Sequence, residues 1–461
     1  MILPMISFSS GHKPSRRFAV IATVAALSLT FSACSSEEIL DVETPDIVLP
    51  SNVQSAAGAH GVRIGALSRF NAATSGSESL FLLGGLFSDE WNNGDSFIAR
   101  QEIDQRAVTV QNNFLDGANR VLHRTRIAAE QAVELLAEYD PNAPGAQVAE
   151  MYFLQAYTIN LLAEHYCDGL VLSTLVDGIE EYGSPMTTVA AFERALRHAE
   201  AGIALITGTT ASDLRVLNAL RITRGRILIN LNRATEAAAA VAGVPTNYQY
   251  TVFHTQTITN AFWTFNNNAR RYSVSNNEGI NGLNFATAGD PRLPVCLGNS
   301  TACRAIGVTR ADRDDLTQPF YVQMLWPTRD APVTVIIGAE ARLIEAEAQL
   351  RAANATQSLQ TLNTLRLTLT SLSPLPDAGT TAARENQLFR ERAFWLFGRG
   401  TRTGDLRRLV RQYGRAANTV FPTGPWHKGG NYGVDVNFPV PFSEANNPNV
   451  SSTQTCLNLN P

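Results

Sequence analysis

The stretch "ALRITRGRILINLNRATEAAAAVAGVP", residues 219–245, decides the fold class. Apolar positions in its first part recur at helical spacing. Gly225, Ala234 and Ala237 are small residues placed where two helices would press together, and Pro245 closes the unit. The pattern predicts two short helices in close contact.

A second stretch, "IIGAEARLIEAEAQLRAANATQSLQTLNTLR" at 336–366, has the same character. Ile336, Leu343 and Leu350 recur every seven residues, and Ala339, Ala346 and Ala348 permit close helix contact. Glu347 and Arg351 are spaced as a favourable surface pair. Both stretches resemble tetratricopeptide-type helix pairs. Working outward, residues 51–70 read as helix. A loop-rich stretch follows at about 71–112, and Val121, Ala128, Ala132 and Leu135 mark another helix. "EMYFLQAYTINLLAEHY" (150–166) is apolar almost all round, as in a helix buried on several sides. Residues 188–243 read as two or three helices. Between the helical regions, 246–335 is rich in Asn, Gly, Thr, Pro and aromatics, which suits loops and short strands. The expected class is mainly α: a helix-pair scaffold with long irregular insertions. The expected segments are 1–33, 34–50, 51–245, 246–335 and 336–461.

The chain has 461 residues, and 37 basic against 41 acidic residues give a net charge of −4. That mild acidity argues against a nucleic-acid partner. Residues 29–38 read "LTFSACSSEE". Lys13, Arg16 and Arg17 precede an apolar run from Phe18 to Phe31, too short to span a bilayer and suited to a secretory signal. Ser32 and Ala33 then lead to Cys34, as in the lipobox of bacterial lipoproteins, although Phe31 stands where Leu is usual. Cys34 is the expected lipidation site, 1–33 the signal and 34–50 the tether. Cys296 and Cys303 bracket a loop that a disulfide could close in an oxidising compartment. Sequence does not show whether Cys167 and Cys456 pair.

In order along the chain, these features resemble the SusD/RagB family of nutrient-uptake outer-membrane lipoproteins. The resemblance runs from Cys34 and "LDVETP" (40–45) through "FSDEW" (87–91), "MYFLQAYTINLLAEHYCDGL" and "DPRLPV" (290–295). It continues with "EARLIEAEA" (340–348), "LNTLR" (362–366), "RERAFWLFGRGTRTGDLRR" (390–408) and "FPVPFSEANNPNV" (438–450). Cys167 departs from the family's usual Phe or Gly. The resemblance implies a helical protein on the cell-surface face of the outer membrane. Such a protein lies as a lid over a SusC-like TonB-dependent transporter and delivers glycans or peptides to it without catalysis. No cofactor and no clear metal-ligand set is expected.

Sugar recognition needs flat apolar faces beside amides, carboxylates or guanidiniums. "DEWNNGD" (89–95) offers Trp91 as a stacking platform and Asn92, Asn93 and Asp95 as hydroxyl partners. A second candidate group is Trp263 with Phe262, Phe265, Asn266, Asn267, Arg271 and Tyr272. A third is Tyr321 with Trp326, and a fourth is Trp426, His427 and Tyr432. In each case core packing competes with binding. The arginines Arg390, Arg392, Arg399, Arg402, Arg407 and Arg408 lie among Glu391 and Asp405 and read as structural, with Phe394 and Trp395 as core. An enzyme is the first rival, but HExxH, GxSxG, P-loop and Rossmann signatures are missing. Distant carboxylates could still pair as in a glycosidase, and Asp89, Glu90 and Asp95 are the one tight acidic group near aromatics. The second rival, a protein-interaction scaffold, leaves the aromatic insertion at 246–335 without a purpose.

Overall fold

The computed structural model describes residues 53–176, 179–451 and 456–461. Cys34, the signal and the tether lie outside the described residues. The N-terminal helices are α1 (Ala56–Ser75), α2 (Leu80–Phe87), α3 (Ile98–Gln105), α4 (Asn113–Tyr139), α5 (Gly145–His165), α6 (Thr188–Ala204), α7 (Ala211–Asn230) and α8 (Ala234–Val241). Strand β1 (Trp91–Asn93) falls between α2 and α3, and β2 (Thr174–Val176) and β3 (Ile179–Glu181) form a hairpin after α5. The insertion carries β4 (Gln249–Val252), a π-helical turn (Trp263–Asn268), β5 (Tyr272–Val274), β6 (Val295–Leu297), α9 (Thr301–Ala305), β7 (Tyr321–Gln323) and β8 (Val333–Ile337). Helices α10 (Gly338–Arg351), α11 (Ala355–Arg366), α12 (Thr381–Trp395) and α13 (Arg402–Arg411) complete the scaffold. The stretch expected to be loop-rich at 71–112 thus contains two helices. Helix α2, "LFLLGGLF", is buried at every position, which an all-apolar run requires.

Local chemistry sets the helix ends. Asn112 Oδ1 accepts from the amides of Phe114 and Leu115, each at 3.2 Å, and starts α4. Thr210 and Asp213 form a reciprocal capping box at the start of α7. Neighbouring helices then pack in sequence: α1 and α5 on α4, α6 and α7 on α5, α8 on α7, and α10 on α7, α8 and α11. The scaffold is held by four two-stranded antiparallel pairings among the described strands, including β4 with β8, which closes the insertion onto the start of α10.

Paired charges of the C-terminal helices turn inward. Glu347 does not pair with Arg351. It is fully buried and accepts from both terminal nitrogens of Arg408, while Arg351 donates to Gln412 Oε1 at 2.9 Å and to Asn232. Helix α10 presents Glu347 to α13 because that face is core, so spacing alone misjudged its partner. Asp405 accepts from Arg392 at 2.7 and 2.9 Å and from Arg408 at 2.7 Å. Burial alone would raise the Asp405 carboxyl, but these two guanidiniums outweigh it and hold it down at about 2. Arg292 of "DPRLPV" donates to Asp290 and, at 2.6 Å, to Glu391. Phe394 is core, as expected, whereas Trp395 is half-buried. Two disulfides are present, Cys296–Cys303 and Cys167–Cys456.

Gly225 is the close-approach point of α7. A Cβ there would lie 2.5 Å from Val241 Cγ1 on α8 and 3.2 Å from Ile344 Cδ1 on α10. Helix propensity favours alanine over glycine by about 1 kcal/mol, but overpacking costs about 1–3 kcal/mol. Gly225→Ala is therefore expected to lower the urea midpoint, and adding Val241→Ala to recover part of that loss relative to Val241→Ala alone. A Gly225→Ala protein more stable than the parent would show that this contact is not tight.

Candidate functional site

Strand β1 pairs antiparallel with β5, placing Trp91 opposite Val274, Asn92 opposite Ser273 and Asn93 opposite Tyr272. Successive strand residues point to opposite faces. Trp91 and Asn93 therefore face the core together, and Asn92 faces away from it. Trp91 is 0% exposed, with its ring centroid 5.0 Å from Phe397, 6.1 Å from Phe262 and 6.4 Å from Tyr272. Phe262 in turn stacks on Trp326 at 4.2 Å. The binding roles expected of Trp91, Tyr272 and Trp326 are corrected here. These rings are walled in by one another and offer no face to a ligand.

Asn93 and Asp95 are also buried and make turn bonds rather than an open binding edge. Asn93 Oδ1 accepts from the Asp95 amide at 3.0 Å, and Asp95 accepts from the Phe97 amide at 2.9 Å and from Arg100. Trp263 is half-buried beneath Arg329, 5.7 Å from its ring. Arg271 lies over Phe97 at 5.3 Å, 3.6 Å from Asp314. None of these four lines the main cleft of the insertion. Trp426 is buried and donates from Nε1 to Asp104 Oδ2 at 3.0 Å.

That cleft, of about 410 Å³, gathers chain segments far apart in sequence. Asn92 comes from β1, Asn276–Gly279 follow β5, Arg313 and Thr317–Tyr321 lead into β7, and Pro425 and His427 come from the closing segment. Of the residues expected from sequence, Asn92, Tyr321 and His427 meet here. Glu278 and Arg313 also line the cleft, and sequence reading singled out neither. The only local signal was the "SNNEG" run at 275–279, which repeats the amide-rich chemistry of "WNNGD".

The polar groups are fixed in place. Glu278 Oε1 accepts from Asn92 Nδ2 and Oε2 from the Tyr432 hydroxyl, both at 2.6 Å. Burial, then Asp104 and Glu278, push the Tyr432 phenol well up, so it stays a donor. Arg313 donates from Nε to the Pro319 carbonyl at 3.0 Å, and its Nη1 lies 3.3 Å from His427 Nδ1. His427 Nε2 is 2.6 Å from Asp104 Oδ2. This network assigns the proton to Nε2 and makes Nδ1 the acceptor from Arg313. Asn92 Oδ1 is buried and has no protein partner. A buried acceptor without a donor is costly, and a ligand hydroxyl would satisfy it. The half-buried ring of Tyr321 and Pro319 supply apolar surface beside it. Both ring nitrogens of His427 are already engaged. Among the described residues, no group of His, Cys, Asp and Glu is arranged to hold a metal ion, and no helix is long and apolar enough to cross a membrane.

No protein-family profile matches the chain, and no curated protein matches it in sequence. Solved structures do. A SusD-like carbohydrate binding protein from Bacteroides fragilis superposes with a TM-score of 0.62 at 13% identity, covering 87% of this chain and 99% of its own. A SusD superfamily protein from Parabacteroides distasonis gives 0.62 at 13%, covering 86% and 98%. One from Bacteroides thetaiotaomicron gives 0.59 at 14%, covering 88% and 100%. The chain has the SusD-like fold. In this SusD-like chain the loop after α2 is the keystone of the cleft, because its backbone and side chains bond to both the insertion and the C-terminal helices.

Glu90 belongs to that loop. It is buried, its Oε1 accepts from the Gly398 amide at 3.0 Å, and Oε2 has no partner. Burial pushes its carboxyl up to about 8. The folded chain then keeps a proton that the unfolded chain releases near 4.5, so stability falls as pH rises between those values. The slope is up to about 1.4 kcal/mol per pH unit. Urea midpoints at pH 5, 7 and 9 are expected to fall less steeply for Glu90→Gln than for the parent. Parallel pH profiles would show that Glu90 titrates normally.

Proposed function

We propose that this chain captures glycans at the Asn92–Glu278–Arg313–Tyr321 cleft and delivers them to a SusC-like TonB-dependent transporter. In this reading it is a lipoprotein held by Cys34 on the cell-surface face of the outer membrane. The observation that carries the ligand class is the cleft itself. A buried, unpartnered amide oxygen, a fixed carboxylate and a fixed guanidinium surround a tyrosine ring. That is the chemistry by which hydroxyl groups and the C–H faces of a pyranose are recognised. The SusD-like fold and the carbohydrate binding ascribed to the B. fragilis neighbour support it. Uptake energy would come through the transporter, so the chain needs no nucleotide. The polar segment after Cys34 would let the body sit over the barrel.

Isothermal titration against a panel of neutral oligosaccharides tests the ligand class. Tyr321→Ala and Gln318→Ala are each expected to weaken the best ligand by about tenfold or more with unchanged melting temperature. Absence of any glycan binding tighter than about 1 mM, or turnover of the glycan, would sink the reading. A C-terminally tagged chain is expected to co-purify with a TonB-dependent barrel from detergent-solubilised outer membranes. The Cys34→Ser chain is expected to leave the membrane fraction. A membrane-bound chain that brings down no barrel would leave a binding lipoprotein without the delivery role.

A further inference from the structure

A second cleft, of about 300 Å³, shares no lining residue with the first. It lies where the segment after α8, the start of α10 and the end of α12 meet. Asn247 and Gln249 are exposed and open it to solvent, while Pro291, Ile337, Ala339 and Leu369 supply apolar lining. Two arginines line it, Arg292 and Arg399, and no acid does.

The two guanidiniums differ in how their charge is met. Arg292 is answered by Asp290, through Nε and Nη2, and by Glu391, through Nη1. Arg399 is not answered. Its Nε and Nη1 donate only to carbonyls, those of Thr334 at 3.1 Å, Trp395 at 3.3 Å and Phe397 at 3.1 Å, and it has no ion-pair partner among the described residues. Its Nη2 donates to none of them. Burial pushes this guanidinium down to about 10, with Glu90 and Glu340 opposing from beyond hydrogen-bond reach, so it keeps its charge at neutral pH. Four residues earlier, Trp395 Nε1 is buried without an acceptor, and an indole nitrogen can only donate. A desolvated charge without a counter-charge and a buried donor without an acceptor are both costly. One remedy serves both, an acceptor oxygen that carries negative charge.

We propose that this cleft takes a small organic monocarboxylate, whose carboxylate meets Arg399 and the Trp395 indole N–H while its apolar body lies on Pro291, Ile337 and Leu369. One unanswered guanidinium calls for one negative charge. A phosphate would bring up to two charges, and its hydration shell, against a lining that is half apolar. A volume at the low end for ligand sites suits a single ring or a short chain rather than a polymer. A neutral sugar has no group that answers Arg399, so the inference stands apart from the glycan reading of the first cleft.

The probe is benzoate, titrated into the full mature chain at low salt in a buffer free of phosphate and carboxylates, with saturation followed by ligand-observed NMR. Benzamide is its control, because it keeps the ring and removes the charge. Expected is saturable benzoate binding with a dissociation constant of about 1 mM or tighter, and benzamide weaker by about tenfold or more. Arg399→Gln is expected to weaken benzoate by about tenfold or more. Trp395→Phe keeps an aromatic ring and removes a donor that has no partner in the chain, so it should fold as the parent does, which its melting temperature verifies. It is expected to weaken benzoate by about fivefold. Arg310→Gln removes one exposed cation outside the cleft and is expected to leave binding within about twofold. Four results would each overturn the proposal: no saturation below about 10 mM, benzamide binding as well as benzoate, equal losses in Trp395→Phe and Arg310→Gln, or displacement of benzoate by an equal concentration of inorganic phosphate.

Discussion

The bidentate ion pair between Asp89 and Arg402 ties the N-terminal helices of the described body to its C-terminal ones. Arg402 donates from Nε and Nη2 to the two carboxylate oxygens at 2.6 and 2.9 Å, with both side chains buried. The same carboxylate accepts from the Leu283 amide at 2.9 Å, and the Asp89 carbonyl accepts from Ser275. The next residue continues the suture, since the Glu90 carbonyl accepts from the Ser275 amide at 3.0 Å. One short loop thus joins the N-terminal helices, the insertion and α13. Stranding one member of such a pair in the interior costs about 3–5 kcal/mol, a large share of a domain's net stability. The cleft depends on it because Asn92 and Glu278 sit only a few residues from these bonds.

Arginine is the chemical means by which this scaffold carries buried charge. Arg226 grips Glu164 in the middle of the helix stack, donating from Nε at 2.8 Å, and Asn230 reinforces the same carboxylate at 2.7 Å. Arg407 is fully buried and donates to the Ala163 carbonyl at 2.8 Å, and desolvation pushes its guanidinium down to about 9. A planar fork that meets a carboxylate with two parallel bonds suits such sites better than an ammonium. The near absence of lysine from the sequence is therefore compatible with a core that needs guanidiniums, whatever its origin in composition.

The helical scaffold was legible because helical periodicity is long-range and redundant. Gly225, Ala237 and the 150–166 segment, apolar almost all round, each pointed to the contact they make. Arg392 and Arg408 read as structural because Asp405 lay among them, and both pair with it. The cleft was only partly legible, for two reasons. A strand of three residues gives no periodicity from which to decide which of Trp91, Asn92 and Asn93 faces inward, and all three were read as facing a ligand. Glu278 and Arg313 are fixed in the cleft by partners such as Tyr432 and His427, more than a hundred residues away, which no local pattern announces. Most of the large rings of the insertion serve to hold its own loops together, and the cleft is left to amides, a carboxylate, a guanidinium and one tyrosine.

The bond between Cys167 and Cys456 spans 289 residues, running from just past the end of α5 to the last few residues of the chain. It encloses the insertion, both clefts' later walls and every C-terminal helix within one covalent ring. A protease that cuts an exposed loop anywhere inside that ring nicks the protein without dividing it. The two fragments remain one molecule until a reductant arrives, so damage to a loop need not release the groups that Asp89 and Arg402 hold in register.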